Sequence, residues 1–228
     1  MSGLVTGLTL GTRRLLDPYL GTGAAIALFL VLLVARLERS LATAGAADRA
    51  LIGAAFGIAL PLFAYAVVAR ATEGRRWESA VDVVARHGLD RRTAALGVIL
   101  ACAGMLALAG LVLGALTATV AHGFGDPSWL RDALSSGSVG VVAGAGYASW
   151  FALGSAFGRE GGGRFWLLIA DWMLGSGTTA MAVVWPRAHV KNLIGAPPVL
   201  GMSQTLALLA VVVLSALCVS VALLRTPK

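Results

Sequence analysis

The sequence predicts an all-α membrane protein, because its composition, its apolar runs and its charge distribution all point to that class. Hydrophobic residues make up 58% of the 228 residues and charged residues only 13%, with a mean hydropathy of +0.84. Soluble domains are about a quarter charged. The apolar residues occur in long runs that a soluble core of this size could not bury. The composition therefore excludes a soluble domain.

Six segments are apolar enough to cross a bilayer as helices. A spanning helix needs about 20 mostly apolar residues, because the hydrocarbon layer is about 30 Å thick and each residue adds about 1.5 Å. The first predicted span is short unless Leu15 and Leu16 extend it, and the second contains Pro61. An even number of spans places both termini on the same side. The predicted spans cover residues 20–35, 50–69, 93–121, 133–158, 165–186 and 202–224.

The basic residues predict that both termini face the cytoplasm. Loops on the cytoplasmic side of membrane proteins are enriched in Lys and Arg. With the amino terminus inside, twelve basic residues fall on the cytoplasmic side: Arg13, Arg14, Arg70, Arg75, Arg76, Arg86, Arg91, Arg92, Arg159, Arg164, Arg225 and Lys228. The remaining six fall outside: Arg36, Arg39, Arg49, Arg131, Arg187 and Lys191. The net charge of +7 is thus assigned to membrane topology, and no nucleic-acid partner is expected.

Glycine pairs four residues apart predict close contacts between the spanning helices. Small residues at this spacing let helix backbones approach one another, which is a common way for membrane helices to pack. The pairs are Gly53/Gly57, Gly110/Gly114, Gly140/Gly144 and Gly154/Gly158.

The segment between the second and third spans predicts a short amphipathic helix over residues 73–87. At 100° per residue, Trp77, Ala80, Val81 and Val84 share one face, and charged residues occupy the opposite face. Gly88 is a suitable stop after this helix. Because so short a helix is marginal in water, it must rest on the membrane surface or in a protein groove.

Catalytic and metal-binding motifs do not emerge from the sequence. No GxxxxGK[ST] phosphate-binding loop is found, so nothing in this sequence is expected to hold a nucleoside triphosphate, and any ATP must be bound elsewhere. Cys102 and Cys218 lie in apolar runs without metal-ligand spacing. The predicted topology places His87 on the cytoplasmic side of the membrane and His122 and His189 on the other side, so the three cannot share a metal ion within one chain. The chain is therefore expected to be neither an enzyme nor a metal protein, and to carry no cofactor of its own.

Asp171 is the one carboxylate well inside a predicted span. A charge at the bilayer centre costs about 2.5–3.5 kcal/mol on insertion scales, which makes this residue a candidate for a substrate, proton or subunit contact. Asp171 lies six residues after Phe165, about 9 Å along a helix. Its side chain could therefore also reach the headgroups or cap a neighbouring helix. Both readings stay open on the sequence alone.

These features together resemble the type-2 permeases of ABC transporters, six-helix membrane subunits that dimerise and sit on separate ATPase subunits. The most specific stretch is residues 70–101 (RATEGRRWESAVDVVARHGLDRRTAALGVILA), which is similar to the family's segment after its second helix. Residues 147–164 (YASWFALGSAFGREGGGR) resemble its fourth helix and basic, Gly-rich turn, and residues 185–201 its short outward-facing helices. In the family's turn, a Pro usually stands where this chain has His87–Gly88–Leu89.

The resemblance implies that residues 73–87 form a coupling helix that docks into a cleft on an ATPase. ATP and Mg²⁺ would be bound by that partner, and a second permease subunit, identical or not, would complete the dimer. Trp77, Val81 and Val84 would provide the apolar anchor. The location implied is the inner membrane of a bacterium, among membrane lipids. The implied ATPase-coupling residues are Glu73, Gly74, Trp77, Glu78, Val81, Asp82, Val84 and Arg86.

A structural or scaffold subunit of a larger membrane complex is the alternative function. In that case the 73–87 segment would lie on the membrane and would couple to nothing. The small number of charged residues within the spans favours an apolar or amphiphilic cargo, or a mechanical role, over transport of an inorganic ion.

Overall fold

Helices form all the regular secondary structure of the part that the computed structural model describes, residues 2–41 and 45–227. Within that part, four helices are long and apolar enough to cross a membrane, which indicates a multi-pass membrane protein. The predicted all-α class is confirmed. The four are α2 (Pro18–Ser40), α3 (Ala46–Ala71), α6 (Arg91–His122) and α10 (Gln204–Leu224).

A first helix, α1 (Gly3–Leu15), precedes the apolar runs and was not anticipated from the sequence. It packs against the first three turns of α6 through glycines at every fourth position. A Cβ atom added to Gly7 would lie 2.1 Å from the carbonyl oxygen of Ala94, and one added to Gly97 would lie 2.3 Å from that of Leu4. The two backbones are therefore in direct contact, and only glycine fits between them.

The first spanning helix, α2, is held to the rest of the bundle by few side chains. It begins at Pro18, and the Asp17 carboxylate accepts a hydrogen bond of 2.9 Å from the amide of Tyr19, which caps the helix. Only Val31 and Ala35 are buried along its length. Most of its apolar surface is consequently available to lipid or to another subunit.

The second spanning helix, α3, changes its hydrogen-bonding pattern along its length. Residues Ala46–Arg49 are α-helical, Ala50–Ala59 form a π-helix, and Leu60–Ala71 return to the α form. Pro61, which the sequence places inside this span, is the second residue after the π-helical part.

The prediction of one continuous helix over residues 73–87 was wrong. The connecting segment, defined as residues 72–90, is not one helix. It contains two single-turn helices, α4 (Trp77–Ala80) and α5 (Asp82–Ala85). Glu73 and Gly74 have φ angles of 52° and 73°, which no right-handed helix accepts. Gly88 has a φ of 75° and ends the helical part, as predicted.

The centre of the bundle is the pair formed by α6 and α7 (Trp129–Ser155). Close contact between glycines was predicted, and it is found here: a Cβ atom on Gly110 would lie 2.0 Å from the carbonyl oxygen of Gly140. One on Gly144 would lie 2.1 Å from that of Leu106. Helix α7 corresponds to the fourth predicted span, and its 27 residues extend about 40 Å.

The predicted fifth span, residues 165–186, is not one continuous helix. Helix α8 (Gly163–Leu174) has 12 residues and extends only about 18 Å. A non-helical stretch and a 3₁₀ turn (Ala180–Val184) follow, and the chain then forms the short helix α9 (Pro186–Ile194). Two glycines interrupt the run at Gly175 and Gly177, where the apolar pattern alone gave no sign of a break. A second 3₁₀ turn (Val199–Gly201) leads to α10.

Candidate functional site at the connecting segment

The apolar face of the connecting segment packs against this chain's own helices. Trp77, Ala80, Val81 and Val84 are all buried, and Trp77 is only 1% exposed. The Trp77 indole Nε1 donates a hydrogen bond of 2.8 Å to the carbonyl oxygen of Ala152 in α7. The amphipathic pattern is thus confirmed. The expectation that Trp77, Val81 and Val84 anchor the segment in a partner's groove is corrected, because the groove they fill belongs to this bundle.

The opposite face of the connecting segment is open to the surroundings. Glu73, Gly74, Glu78 and Arg86 of the predicted coupling set are exposed. Val83, which lay outside that set, is the large apolar side chain on this face, with 49% of its surface exposed. The exposed docking face is defined here as Glu78, Ser79, Val83, Arg86 and His87.

Asp82 holds the edge of this face in place through two arginines. Its Oδ1 and Oδ2 atoms each lie 2.9 Å from a guanidinium nitrogen, of Arg91 and Arg86 respectively. The hydrogen bond from Arg91, and then that from Arg86, lowers the pKa of Asp82 below its ordinary value. The carboxylate therefore remains ionised at neutral pH and links α5 to the first turn of α6.

Arg14 at the end of α1 ties the connecting segment to the amino-terminal helix. Its Nη1 donates to the carbonyl oxygens of Ala71 and Ala80, at 2.9 and 3.0 Å. Its Nη2 lies 2.9 Å from Oε1 of Glu73. These contacts satisfy carbonyls at the ends of two helices, α3 and α4, and fix the turn between them.

Arg164 joins the connecting segment to α7 and α8 from the other side. The side chain is buried, and its Nη1 donates to Thr72 Oγ1 at 2.5 Å, to Ser155 Oγ at 3.1 Å and to the Arg75 carbonyl oxygen at 3.4 Å. Sequence reasoning counted Arg14 and Arg164 only as basic residues that set topology. Apart from the bond to Ser155, their contacts join residues 57 to 92 positions apart, for which the sequence carried no signal.

Asp171 is fully buried and faces the bundle. Its Oδ2 accepts a hydrogen bond of 3.0 Å from the hydroxyl of Tyr147, and its Oδ1 accepts one of 3.2 Å from the amide of Arg187. Arg187 is in the first turn of α9, where free amides and the helix dipole favour a negative charge. Of the possibilities that the sequence left open, the side chain takes the capping of a neighbouring helix. It caps α9 from within the bundle.

Apolar grooves lie on both sides of α2. One of about 300 Å³ is lined by α2, α3 and α6, and one of about 460 Å³ lies between α2 and α3. Ala27, Ala59 and Phe63 line both grooves. In the described part of the chain, no group of three His, Cys, Asp or Glu side chains is placed to hold a metal ion.

Comparison with known proteins identifies no relative of this chain. No protein-family profile matches it, and neither does any curated protein or solved structure.

Proposed function

We propose that this chain is the membrane-spanning permease subunit of an ABC transporter, which couples to a separate ATPase through the exposed docking face. The single observation that carries this proposal is the connecting segment. Its apolar side is fixed to the bundle by Trp77, Arg14 and Arg164, and its charged side is left exposed. A partner that pushes on such a segment moves the helices to which it is attached.

Six passes with both termini in the cytoplasm fit the arrangement of the chain ends and loops. Helix α7 and the interrupted α8–α9 region would add two passes to the four apolar helices. The connecting segment contacts the amino-terminal helix through Arg14 and the turn before α8 through Arg164. The Arg92 Nε donates a hydrogen bond of 2.9 Å to the carbonyl oxygen of Thr226, near the carboxyl terminus. These regions meet at one end of the bundle, and this end carries most of the basic residues, as a cytoplasmic surface does. Lys228, counted there, lies outside the described residues.

The ATPase would bind ATP and Mg²⁺, and this chain would perform no chemistry. Val83 would provide the apolar contact at the docking face, and Glu78 and Arg86 a polar rim. The little-buried helix α2 leaves a large apolar surface for a second permease subunit, identical or different. An apolar or amphiphilic cargo fits the apolar grooves, and the inner membrane of a bacterium is the proposed location.

A scaffold subunit without transport activity is the second candidate. One observation favours it: because the connecting segment is packed on its own bundle, it needs no ATPase to remain folded. In this case the docking face would contact headgroups or another structural subunit.

Co-purification from native membranes distinguishes these two functions. The variant Val83→Asp places a charge at the centre of the docking face without disturbing the buried side. The matched control is Phe124→Asp, because Phe124 is exposed at the opposite end of the bundle. We expect the wild type and Phe124→Asp to retain an ATPase with a GxxxxGK[ST] loop, and Val83→Asp to lose it. Retention of the ATPase by Val83→Asp, or its absence from the wild type, would contradict the proposal. Trp77→Asp is not a suitable test of partner binding, because it would bury a charge within the bundle and could unfold the connecting segment.

A further inference from the structure

Arginines from separate parts of the chain meet beside the glycine-rich turn that joins α7 to α8, residues 158–162. From the connecting segment, the Arg76 Nη2 donates a hydrogen bond of 3.4 Å to the carbonyl oxygen of Ala156, directly after α7. From the end of α10, the Arg225 guanidinium lies 4.4 Å from the centre of the Phe157 ring. Both side chains are therefore held next to the turn by contacts across long stretches of sequence.

A glycine lets the turn approach the connecting segment closely. A Cβ atom on Gly161 would lie 2.7 Å from the carbonyl oxygen of Arg75. Gly161 also has a φ angle of 70°, which glycine adopts without steric cost. Arg159, two residues earlier in the turn, is exposed, and so are Arg75 and Arg225. The arginine cluster is defined here as Arg75, Arg76, Arg159 and Arg225.

The arginine cluster carries an excess of positive charge. Within the described residues, none of its four guanidinium groups forms an ion pair with a carboxylate. The turn contributes one carboxylate, Glu160, which is exposed. The buried Arg164, which donates to the Arg75 carbonyl oxygen at 3.4 Å, adds a further positive charge beside the cluster. The surface is therefore suited to bind an anion.

Exposed aromatic and apolar side chains place the arginine cluster at the boundary of the hydrocarbon layer. Phe165 and Trp166, in the first turn of α8, are 49% and 69% exposed. Aromatic rings, and those of Trp above all, are enriched at the level of the lipid headgroups. Leu224, the last residue of the apolar helix α10, is 69% exposed and directly precedes Arg225. Two separate helices thus change from apolar to basic at the cluster, as expected where acyl chains give way to headgroups.

We propose that the arginine cluster binds the phosphate group of an anionic phospholipid. Guanidinium groups bind phosphate oxygens through paired N–H donors, and basic pockets between membrane helices bind lipid headgroups. The acyl chains of this lipid lie against the exposed apolar surface at Trp166 and Leu224. These two side chains favour a lipid over an acidic protein surface. The bound lipid joins the connecting segment to the ends of α7 and α10. The proposal depends on a location in a membrane and holds whether or not the chain is a permease.

Native mass spectrometry of the full chain tests this site. The protein is released from detergent micelles that contain equal amounts of phosphatidylglycerol and phosphatidylcholine, and the lipid that stays bound is counted. We expect the wild type to retain phosphatidylglycerol in preference by at least about twentyfold. The double variant Arg159→Gln, Arg225→Gln should lower this ratio by about tenfold or more, because each arginine near an anionic surface contributes about fivefold.

Two matched variants separate the arginine cluster from general effects of charge and folding. The double variant Arg159→Lys, Arg225→Lys keeps both charges and should stay within about threefold of the wild-type ratio. Arg13→Gln removes a charge from an exposed position at the end of α1, outside the cluster, and should change the ratio less than about twofold. A loss in Arg13→Gln equal to that in the double Gln variant would assign the preference to the basic surface as a whole and overturn the site.

The remaining outcomes identify other ligands. An excess of inorganic phosphate during micelle exchange should leave the lipid bound, because a free ion has no acyl chains to contact α8 and α10. Displacement of the lipid would show a phosphate-ion site and contradict the proposal. If the double Gln variant keeps its preference for phosphatidylglycerol but loses a protein that co-purifies with the wild type, the arginine cluster binds protein and the proposal is overturned. An unchanged preference alone would also overturn it.

Discussion

Arg164 donates a hydrogen bond of 2.5 Å to the hydroxyl of Thr72, across 92 residues of sequence. This contact joins the first turn of α8 to the end of α3 and, with the bond to Ser155, to the end of α7. Three helices and the connecting segment therefore meet at one buried guanidinium. The connecting segment cannot move without straining this junction.

Replacement of Arg164 should destabilise the whole chain. Arg164→Met removes a buried donor from two hydroxyl groups and one carbonyl, and we expect a loss of about 1–3 kcal/mol in the free energy of unfolding. Arg164→Lys should lose less, because it keeps a charged donor. Denaturant unfolding in mild detergent micelles measures both. The exposed Arg159→Met is the control, with an expected change within about 0.5 kcal/mol. Equal stability of the two Met variants would show that Arg164 makes no structural contribution.

Side chains larger than hydrogen at Gly7 should separate α1 from α6. A Cβ atom there meets the Ala94 carbonyl oxygen at 2.1 Å, and overpacking of this kind costs about 1–3 kcal/mol. We expect Gly7→Val to speed tryptic cleavage after Arg13 and Arg14 by at least about fivefold. Gly21→Val is the control, because a Cβ atom at that position meets nothing within 4 Å. Cleavage of Gly7→Val at the control rate would contradict the packing of α1.

Asp82 should give the connecting segment a dependence on acid pH. Its pKa in the folded chain lies below the ordinary value of 3.8, so its ion pairs contribute stability that is fully present above about pH 3.8. This stability declines as the pH falls through the lower folded value. Amide exchange of residues 77–85, corrected for the intrinsic rate at each pH, should therefore rise as the pH falls below about 3.8. Asp82→Asn should abolish this dependence, whereas Glu78→Gln should retain it. A dependence that persists in Asp82→Asn would assign it to another group.

Loss of the Asp171 carboxylate should free the first turn of α9. Removal of a capping side chain costs about 0.5–2 kcal/mol, and Asp171→Ala also leaves the buried Tyr147 hydroxyl without its acceptor. We expect faster amide exchange at residues 186–190 in Asp171→Ala, and a smaller increase in Asp171→Asn, which can still accept one hydrogen bond. The exposed Asp48→Ala is the control. Unchanged exchange in Asp171→Ala would remove the capping role.

Apolar pattern predicted those parts of the structure that depend on local sequence. The runs around Leu33, Val112 and Val212 became long helices, and Trp77, Val81 and Val84 became one buried face. In each case the hydrophobic period or run length suffices, because burial or lipid contact of the apolar side chains dominates the energy.

Pattern alone could not predict features that depend on contacts between distant residues. Nothing in the local sequence shows that Gly7 must be glycine, because the requirement comes from its contact with the Ala94 carbonyl oxygen. The resemblance implied that Trp77 lies in a partner's groove, and the periodicity could not correct this, because it shows that a face is buried but not what buries it. The apolar run continues past Leu174 although the helix ends there, and the hydrogen bond between Asp171 and the amide of Arg187 joins residues 16 positions apart that no local pattern pairs.

Photo-crosslinking from position 83 in native membranes tests the central claim most directly. With p-benzoylphenylalanine in place of Val83, we predict a crosslink to an ATPase that carries a GxxxxGK[ST] loop, and none from the same probe in place of Phe124. A probe at position 83 that reacts only with lipid, or with proteins that bind no nucleotide, would contradict the account.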